Sequence, residues 1–271
     1  MPDSSMLRLR DREVRFGGIT HVMGVVNLSP ESANRQSFAP DAAAAVALAR
    51  RHRQAGATLV DVGGQSSRFD VATLDPAEEI ARLRPTIEAL VADDFLVSVD
   101  TWKPAVAEAA LTAGAHIVND TGGLRDPAMR ELVAVHRAGA ILVYVEGDNP
   151  HDVGEVEIAA DKAVLTAERL ESRLAELEAA GLTEVVVDPG IALNYRGDYA
   201  AYTRLQLDVI RGSAALHRLG RPVLIPIPRK QEDHRVAAYI AMAIEYEADL
   251  IRVHDVEMAC DLVRLYGRSV G

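Results

Sequence analysis

The stretch 95–118 reads FLVSVDTWKPAVAEAALTAGAHIV and contains one complete strand–helix–strand unit. The apolar run Phe95–Val99 predicts a strand. The spacing then predicts a helix over Pro104–Ala113, because its opening proline fits a first turn and Gly114 follows the last one. A second short run, His116–Val118, predicts the next strand. Since strands connected through helices are typical of parallel sheets, this stretch predicts an α/β fold.

The same alternation continues along the whole chain. The predicted strands are His21–Val26, Thr58–Val62, Phe95–Val99, His116–Val118, Ala140–Val145, Glu184–Val187, Val223–Ile225 and Leu250–Val253. The predicted helices include Asp41–Gln54, Pro76–Ala92, Pro104–Ala113, Pro127–Arg137 and Glu155–Ala180, and the glycines expected after their last turns are Gly56, Gly114, Gly139 and Gly181. Eight strands in 271 residues, close to the roughly 250 typical of the fold, favour a (β/α)8 TIM barrel over a doubly wound sheet. We expect a short N-terminal hairpin over Leu7–Phe16 and a single domain over residues 1–271.

The composition indicates a cytoplasmic protein that acts on small molecules. The chain has 29 basic and 40 acidic side chains, a formal net charge of −11, so neither a nucleic acid nor a membrane surface is an expected partner. Its single cysteine, Cys260, cannot form an internal disulfide, which suits a reducing compartment. The longest purely apolar stretch, Ala42–Ala49, is far shorter than the roughly 20 residues that span a bilayer.

Polar side chains follow almost every predicted strand at its carboxyl end. They are Asn27, Ser67, Arg68, Asp100, Asn119, Asp120, Asp188, Arg229, Lys230, Arg252, His254 and Asp255. In a barrel these ends form the face on which active sites are built. Any single Asp or Asn can be a helix cap or an Asx turn. Caps do not explain so many cations at one rim, so the set predicts a site for a heterocycle and a phosphate.

The motifs at these strand ends resemble those of the dihydropteroate synthases in order and spacing. They are Met23–Ser32 (MGVVNLSPES), Asp61–Arg68 (DVGGQSSR), Ser98–Thr101 (SVDT), Asn119–Asp120, Asp188–Gly190 (DPG), Arg229–Lys230 and Arg252–Val256 (RVHDV). The resemblance implies a transferase of folate biosynthesis that joins 6-hydroxymethyl-7,8-dihydropterin diphosphate to p-aminobenzoate with release of diphosphate and the help of Mg²⁺. It also implies a homodimer formed through late helices, for which Asp198–His217 and Val236–Glu247 are the candidates.

The resemblance further implies a role for individual residues. Those expected to hold the pterin are Asp100, Asn119, Asp188 and Lys230, of which Asp100 and Lys230 are also the expected catalytic residues. Those expected to bind diphosphate are Ser67, Arg68, Arg252 and His254, and Asn27 is expected to bind Mg²⁺. The implied mechanism is dissociative: diphosphate leaves first, a carboxylate at Asp100 stabilises the positive charge on the pterin methylene, and the metal and cationic rim stabilise the leaving anion.

The chain departs from the family pattern around the second substrate. Phe69 stands where the family has proline, Ile191 follows the Asp-Pro-Gly motif where the family continues with Gly-Phe, and Pro228 stands where it has serine. Proline offers neither a hydroxyl nor a backbone N–H to the carboxylate of the acceptor. Tyr195 is a candidate substitute for the missing aromatic ring.

Two alternatives to the family reaction therefore stay open. One is a divergent paralogue that keeps the pterin and diphosphate site but uses another acceptor, and the other is a protein that only binds pterin. A methyltetrahydrofolate-type methyltransferase, which shares the pterin-binding set on the same fold, is favoured less. Such proteins are not expected to carry Ser-Ser-Arg and Arg-Val-His-Asp at these places.

Overall fold

Eight parallel strands form a nearly closed barrel, which confirms the predicted (β/α)8 fold. The computed structural model describes residues 6–32, 34–68, 70–228 and 232–269. The barrel strands are β3 (His21–Asn27), β4 (Leu59–Gly63), β5 (Val97–Asp100), β6 (Ile117–Asp120), β7 (Gly139–Val143), β8 (Val185–Asp188), β9 (Leu224–Pro226) and β10 (Leu250–Val253). Neighbours along the chain pair from β3 to β8, and β10 pairs with both β9 and β3. A single bridge between Val187 and Val223 joins β8 to β9.

The predicted N-terminal hairpin is confirmed, and it fills one end of the barrel. It consists of the antiparallel strands β1 (Met6–Arg8) and β2 (Glu13–Arg15). Its buried apolar side chains form one cluster with residues near the amino ends of the barrel strands, namely Leu7, Leu9, Val14, Phe16, Met23, Leu59, Ile117, Leu224 and Leu250. Removing this apolar surface from water stabilises the closed end. The opposite end, where the strands finish, is the one left for ligands.

Helices between the strands form the outer layer. They are α1 (Ala42–Ala55), α2 (Pro76–Ala92), α3 (Pro104–Thr112), α4 (Pro127–His136), α5 (Lys162–Ala179), α6 (Tyr199–Arg211), α7 (Ala214–His217), α8 (Asp233–Glu245) and α9 (Val256–Leu265). The expected first-turn prolines open α2, α3 and α4. Within the described part of the chain, no helix is both long enough and apolar enough to cross a bilayer.

The predicted helix Glu155–Ala180 is wrong at its start, because α5 begins only at Lys162. The preceding residues are held in a loop by non-helical partners. Glu155 forms a backbone bridge with Arg196, and the N–H of Glu157 donates to Oε2 of Glu146 at 2.7 Å. These long-range contacts outweigh the local helical pattern.

The elements at two glycines also differ from the prediction. At both positions another segment of the chain packs closely against the glycine backbone. The predicted helix Asp198–His217 is interrupted at Gly212, where a Cβ atom would stand 2.5 Å from the Cβ of Ala163 in α5. Gly139 was expected to follow the last turn of α4 but begins β7 instead. A Cβ there would stand 2.7 Å from Cδ2 of Leu9 in the hairpin.

Candidate active site

The polar residues at the strand ends line two adjoining cavities at the open end of the barrel. Among the residues of the outer cavity are Asn27, Ser67, Arg68, Asp100, Arg252 and His254. Among those of the inner cavity are Ser67, Asp100, Asn119, Asp188 and Arg252. Ser67, Asp100 and Arg252 line both cavities, so the two adjoin at these residues. Lys230, the remaining predicted site residue, lies outside the described residues.

Two polar atoms of the inner cavity are left without a hydrogen-bond partner by the described part of the chain. Oδ1 of Asn119 and Oγ1 of Thr121 are buried and have no hydrogen-bond partner among the described residues. Leaving such an atom unpaired costs about 1–3 kcal/mol. Apolar side chains, including Val143 and Leu193, complete the wall. A few converging polar atoms in an apolar cavity are typical of a small-molecule site.

Arg252 joins the two cavities through a buried ion-pair network. Its Nε donates to Oδ2 of Asp61 at 2.6 Å, and its Nη2 donates to Oδ2 of Asp100 at 2.7 Å. Asp61 also accepts hydrogen bonds from Oγ of Ser98 at 2.7 Å and from Nδ2 of Asn119 at 3.2 Å. The network fixes the guanidinium of Arg252. Because Nδ2 of Asn119 is held by Asp61, Oδ1 of Asn119 is the atom of this amide that can accept from a ligand.

Asp61 is the residue whose role the sequence did not predict. It is fully buried in the middle of β4, and it is the shared partner of Ser98, Asn119 and Arg252. A charged residue within a strand of buried side chains, LVDVG, was the available signal, because buried charges are normally paired.

The two carboxyl groups of Asp100 and Asp188 in the inner cavity have pKa values near neutral pH. Burial raises the pKa of Asp188 to about 7, although the N–H of Gly190 donates to its Oδ1 at 2.6 Å. Burial also raises the pKa of Asp100 to about 7, against the attraction of the Arg252 guanidinium. Each group can therefore change its protonation when a ligand binds.

Asp120 is a structural residue rather than part of either cavity lining. Its two carboxyl oxygens accept hydrogen bonds from the N–H groups of Gly122 at 2.7 Å and Leu124 at 2.9 Å. Burial raises its pKa to about 6 in spite of those bonds. This is the turn-forming role that was weighed for any single Asp at a strand end.

The predicted rim residues face the outer cavity, each held by neighbours. Nδ2 of Asn34 donates to Nε2 of His254 at 2.7 Å, which leaves the ring proton on Nδ1, 2.7 Å from Oγ of Ser37. Oδ1 of Asn27 accepts from the N–H of Ser29 at 2.8 Å. The guanidinium of Arg68 is paired with Asp70 through two hydrogen bonds, and the Arg68 side chain is 42% exposed.

The positions that depart from the family pattern have different surroundings. Ile191 is buried, and its carbonyl accepts from Nε2 of Gln206 at 2.7 Å, so it supports the site from behind. Tyr195 does not replace the missing aromatic ring, because it packs edge-on against Tyr202 and is absent from the lining of both cavities. Pro228 lies beside His254 in a neighbouring depression. Phe69 lies outside the described residues.

Comparison with known proteins gives the same family throughout. The sequence profile of a family described as pterin binding enzyme matches residues 23–254. The dihydropteroate synthase of Synechocystis sp. is 31% identical over 92% of this chain and 90% of its own length. A probable bifunctional folylpolyglutamate synthase/dihydropteroate synthase of Haloferax volcanii is 35% identical over 88% of this chain, which spans only 29% of that longer protein.

A solved structure is similar over almost the whole fold. The dihydropteroate synthase of Xanthomonas albilineans with 4-aminobenzoic acid matches with a TM-score of 0.82 and 31% sequence identity. The similarity covers 97% of this chain and 97% of that one. The likeness therefore extends over the whole barrel.

Proposed function

Because this chain belongs to the dihydropteroate synthase family of pterin-binding enzymes, we propose that it joins the methylene of 6-hydroxymethyl-7,8-dihydropterin diphosphate to the amino group of p-aminobenzoate and releases diphosphate. The observation that carries the proposal is that the two cavities adjoin and share lining residues. The inner cavity has polar groups that can pair with a ring that carries hydrogen-bond donors and acceptors. The outer cavity is lined by residues suited to an anion.

The inner cavity suits the pterin ring. An ionised Asp188 accepts from the amino group and ring N–H of the pyrimidine edge, and Oδ1 of Asn119 is the available acceptor beside it. Lys230, which follows β9 in the sequence, is proposed to donate to the ring. Arg252, where the cavities meet, can contact both the ring and the first phosphate.

The outer cavity suits the diphosphate and its metal. The donor set fits Mg²⁺, which takes oxygen ligands and is often bound through one or two side chains together with substrate phosphates. Asn27 would hold it, since among the described residues Oδ1 accepts a single hydrogen bond, from Ser29, and a carbonyl oxygen has two lone pairs. When bound, the ion neutralises charge on the leaving diphosphate. Ser67, Arg68 and His254 are proposed to bind the same anion.

The proposed reaction is a substitution at the methylene carbon. The carbon–oxygen bond to the diphosphate breaks, and its electron pair leaves with the oxygen. The positive charge on the pterin methylene is stabilised by the carboxylate of Asp100 at the junction of the cavities. The amine of p-aminobenzoate then forms the new carbon–nitrogen bond and loses a proton.

A second candidate is a paralogue that uses another acceptor, or that only binds pterin. It is favoured by one feature on the acceptor side: Pro228 has no N–H to donate to the carboxylate of p-aminobenzoate. An uncharged aromatic amine would be less affected by this feature than p-aminobenzoate.

The decisive experiment measures diphosphate release from the pterin substrate with Mg²⁺ and p-aminobenzoate. The family reaction predicts release that depends on p-aminobenzoate and forms dihydropteroate in equal amount. The matched variant Asp188→Asn should lose most of this activity. Release that p-aminobenzoate does not stimulate but another arylamine does would support the paralogue, and pterin binding without any release would support a binding protein.

We further propose that the protein is a cytoplasmic homodimer. The predicted late segments correspond to α6, α7 and α8, and Tyr199 at the start of α6 keeps 58% of its surface exposed. Light scattering should give twice the chain mass, and Tyr199→Glu should shift the equilibrium toward the monomer.

A further inference from the structure

The loop between β4 and α2 carries four consecutive residues of the outer cavity wall. Residues 65–68 all line that cavity, Ser67 and Arg68 among them. Within its described residues, 64–68 and 70–75, the loop forms one backbone–backbone hydrogen bond, from Val71 N to Arg68 O at 3.2 Å, and a few side-chain bonds, among them one from the N–H of Leu74 to Oε1 of Gln65 at 3.1 Å. Two side chains outside the loop add further hydrogen bonds to it.

Lys103, just before α3, holds both ends of this loop. Its Nζ donates to Oε1 of Gln65 at 2.6 Å near the first end and to the carbonyl of Leu74 at 2.7 Å near the second. It also forms an ion pair of 2.8 Å with Glu79 in α2, whose side chain is 1% exposed. An ammonium group with three oxygen acceptors, only 11% exposed, is a fixed anchor rather than a mobile surface charge.

His151, in the loop after β7, contacts the next residue inside the loop at each end, Ser66 and Thr73. Its Nε2 lies 2.8 Å from the carbonyl of Ser66, so the proton is on Nε2, and Nδ1 accepts from Oγ1 of Thr73 at 2.9 Å. The His151 ring packs on Trp102, with 5.0 Å between ring centroids. Because Trp102 precedes Lys103 in the chain, the two anchors form one contiguous unit.

We propose that Lys103 and His151 are positioning residues, which act through the β4–α2 loop to place Ser67 and Arg68 against the diphosphate. Neither residue is among those that line the two cavities. The expected effect on kcat/KM rests on the proposed function, whereas the expected effect on the conformation of the loop does not.

The test compares three variants of the full chain with the wild type. His151→Leu removes both hydrogen bonds at similar volume, His151→Gln restores a donor toward the Ser66 carbonyl, and His136→Leu is a matched control at the end of α4. Since a misplacement of about 1 Å can cost about a hundredfold, we expect His151→Leu to lower kcat/KM for the pterin diphosphate by about ten- to a hundredfold. Affinity for the dihydropterin without diphosphate should stay within about twofold, and His151→Gln should recover most of the loss.

A second readout does not depend on activity. Trypsin cleavage after Arg68, followed by mass spectrometry, should be faster in His151→Leu than in the wild type, His151→Gln or His136→Leu. Wild-type kinetics and cleavage in His151→Leu would overturn the proposal. If the wild type itself released no diphosphate, the proposed function would fail, while the cleavage rates would still decide whether His151 holds the loop.

Lys103 needs a paired variant, because Lys103→Met alone leaves the Glu79 carboxylate buried without its cation and can fail to fold. Lys103→Met combined with Glu79→Gln removes both charges. We expect this double variant to fold and to show the same selective loss and the same faster cleavage after Arg68. If the double variant folds and has the kcat/KM and the cleavage rate of the wild type, Lys103 is not a positioning residue.

Discussion

The affinity for the pterin ring is expected to rise with pH between 6 and 8, because Asp188 must lose a proton to accept hydrogen bonds from the ring. Burial raises its pKa to about 7 in the free protein. A carboxyl with that pKa is about 9% ionised at pH 6, about half ionised at pH 7 and about 91% ionised at pH 8. The apparent affinity scales with the ionised fraction, so it should increase about tenfold from pH 6 to pH 8.

The sign follows from linkage. Donors on the ligand favour the ionised form, so the pKa of Asp188 falls on binding and protons are released. The release should be about 0.9 protons per ligand at pH 6 and about 0.1 at pH 8 if the bound group is fully ionised. Binding should therefore weaken as pH falls through 7.

Calorimetry in buffers of different ionisation enthalpy measures affinity and proton release together. The ligand should be 6-hydroxymethyl-7,8-dihydropterin without diphosphate, so that neither the phosphate nor the rim contributes. Asp188→Asn is the matched variant, since its amide oxygen can still accept from the N–H of Gly190. It should bind about 10- to 100-fold more weakly at pH 8 and lose most of the proton release. An affinity that stays flat from pH 6 to 8, or a variant that keeps the wild-type slope, would refute the reasoning.

Three further outcomes are expected. Arg252→Met should lower the free energy of unfolding by about 3–5 kcal/mol in urea titrations, because Asp61 is then buried without its cation. Adding Asp61→Asn should recover part of this loss, and no recovery would mean that the pair is not coupled. Gly190→Ala should cost about 3 kcal/mol or more, since its φ is +70° and a Cβ would collide with a carbonyl oxygen, whereas Gly220→Ala, with φ of +65° and open space, should cost about 1 kcal/mol. Mg²⁺ should strengthen diphosphate binding to the wild type by about tenfold and not to Asn27→Ala; equal strengthening in both would exclude Asn27 as the ligand.

The sequence was sufficient to predict the barrel and most of its open end because these depend on local pattern. Strand, helix and glycine recur in order, and residues directly after parallel strands must share one face. Asp100, Asn119 and Asp188 accordingly line one cavity in the structure. Where local pattern competed with distant contacts, prediction failed. Glu155 has helical neighbours in the sequence but pairs with Arg196 about forty residues later.

The supporting residues of the site were the least predictable. Asp61 becomes a shared acceptor only when β4, β5, β6 and β10 are brought together, and no spacing in the sequence encodes that meeting. Lys103 and His151 are ordinary surface types in the sequence. Their role depends on which loops the barrel sets side by side, a property of the closed ring rather than of any one strand.

The charge balance of the inner cavity connects ring recognition to the proposed chemistry. Among the residues that the structure describes, Asp61 and Asp100 pair with the same cation, Arg252, and burial raises the pKa of Asp100 and of Asp188 to about 7. Ionised carboxyl groups at this place favour a ligand that brings N–H donors, and they favour one that develops positive charge even more. Because these carboxylates are in place before the carbon–oxygen bond breaks, they would stabilise the pterin methylene cation.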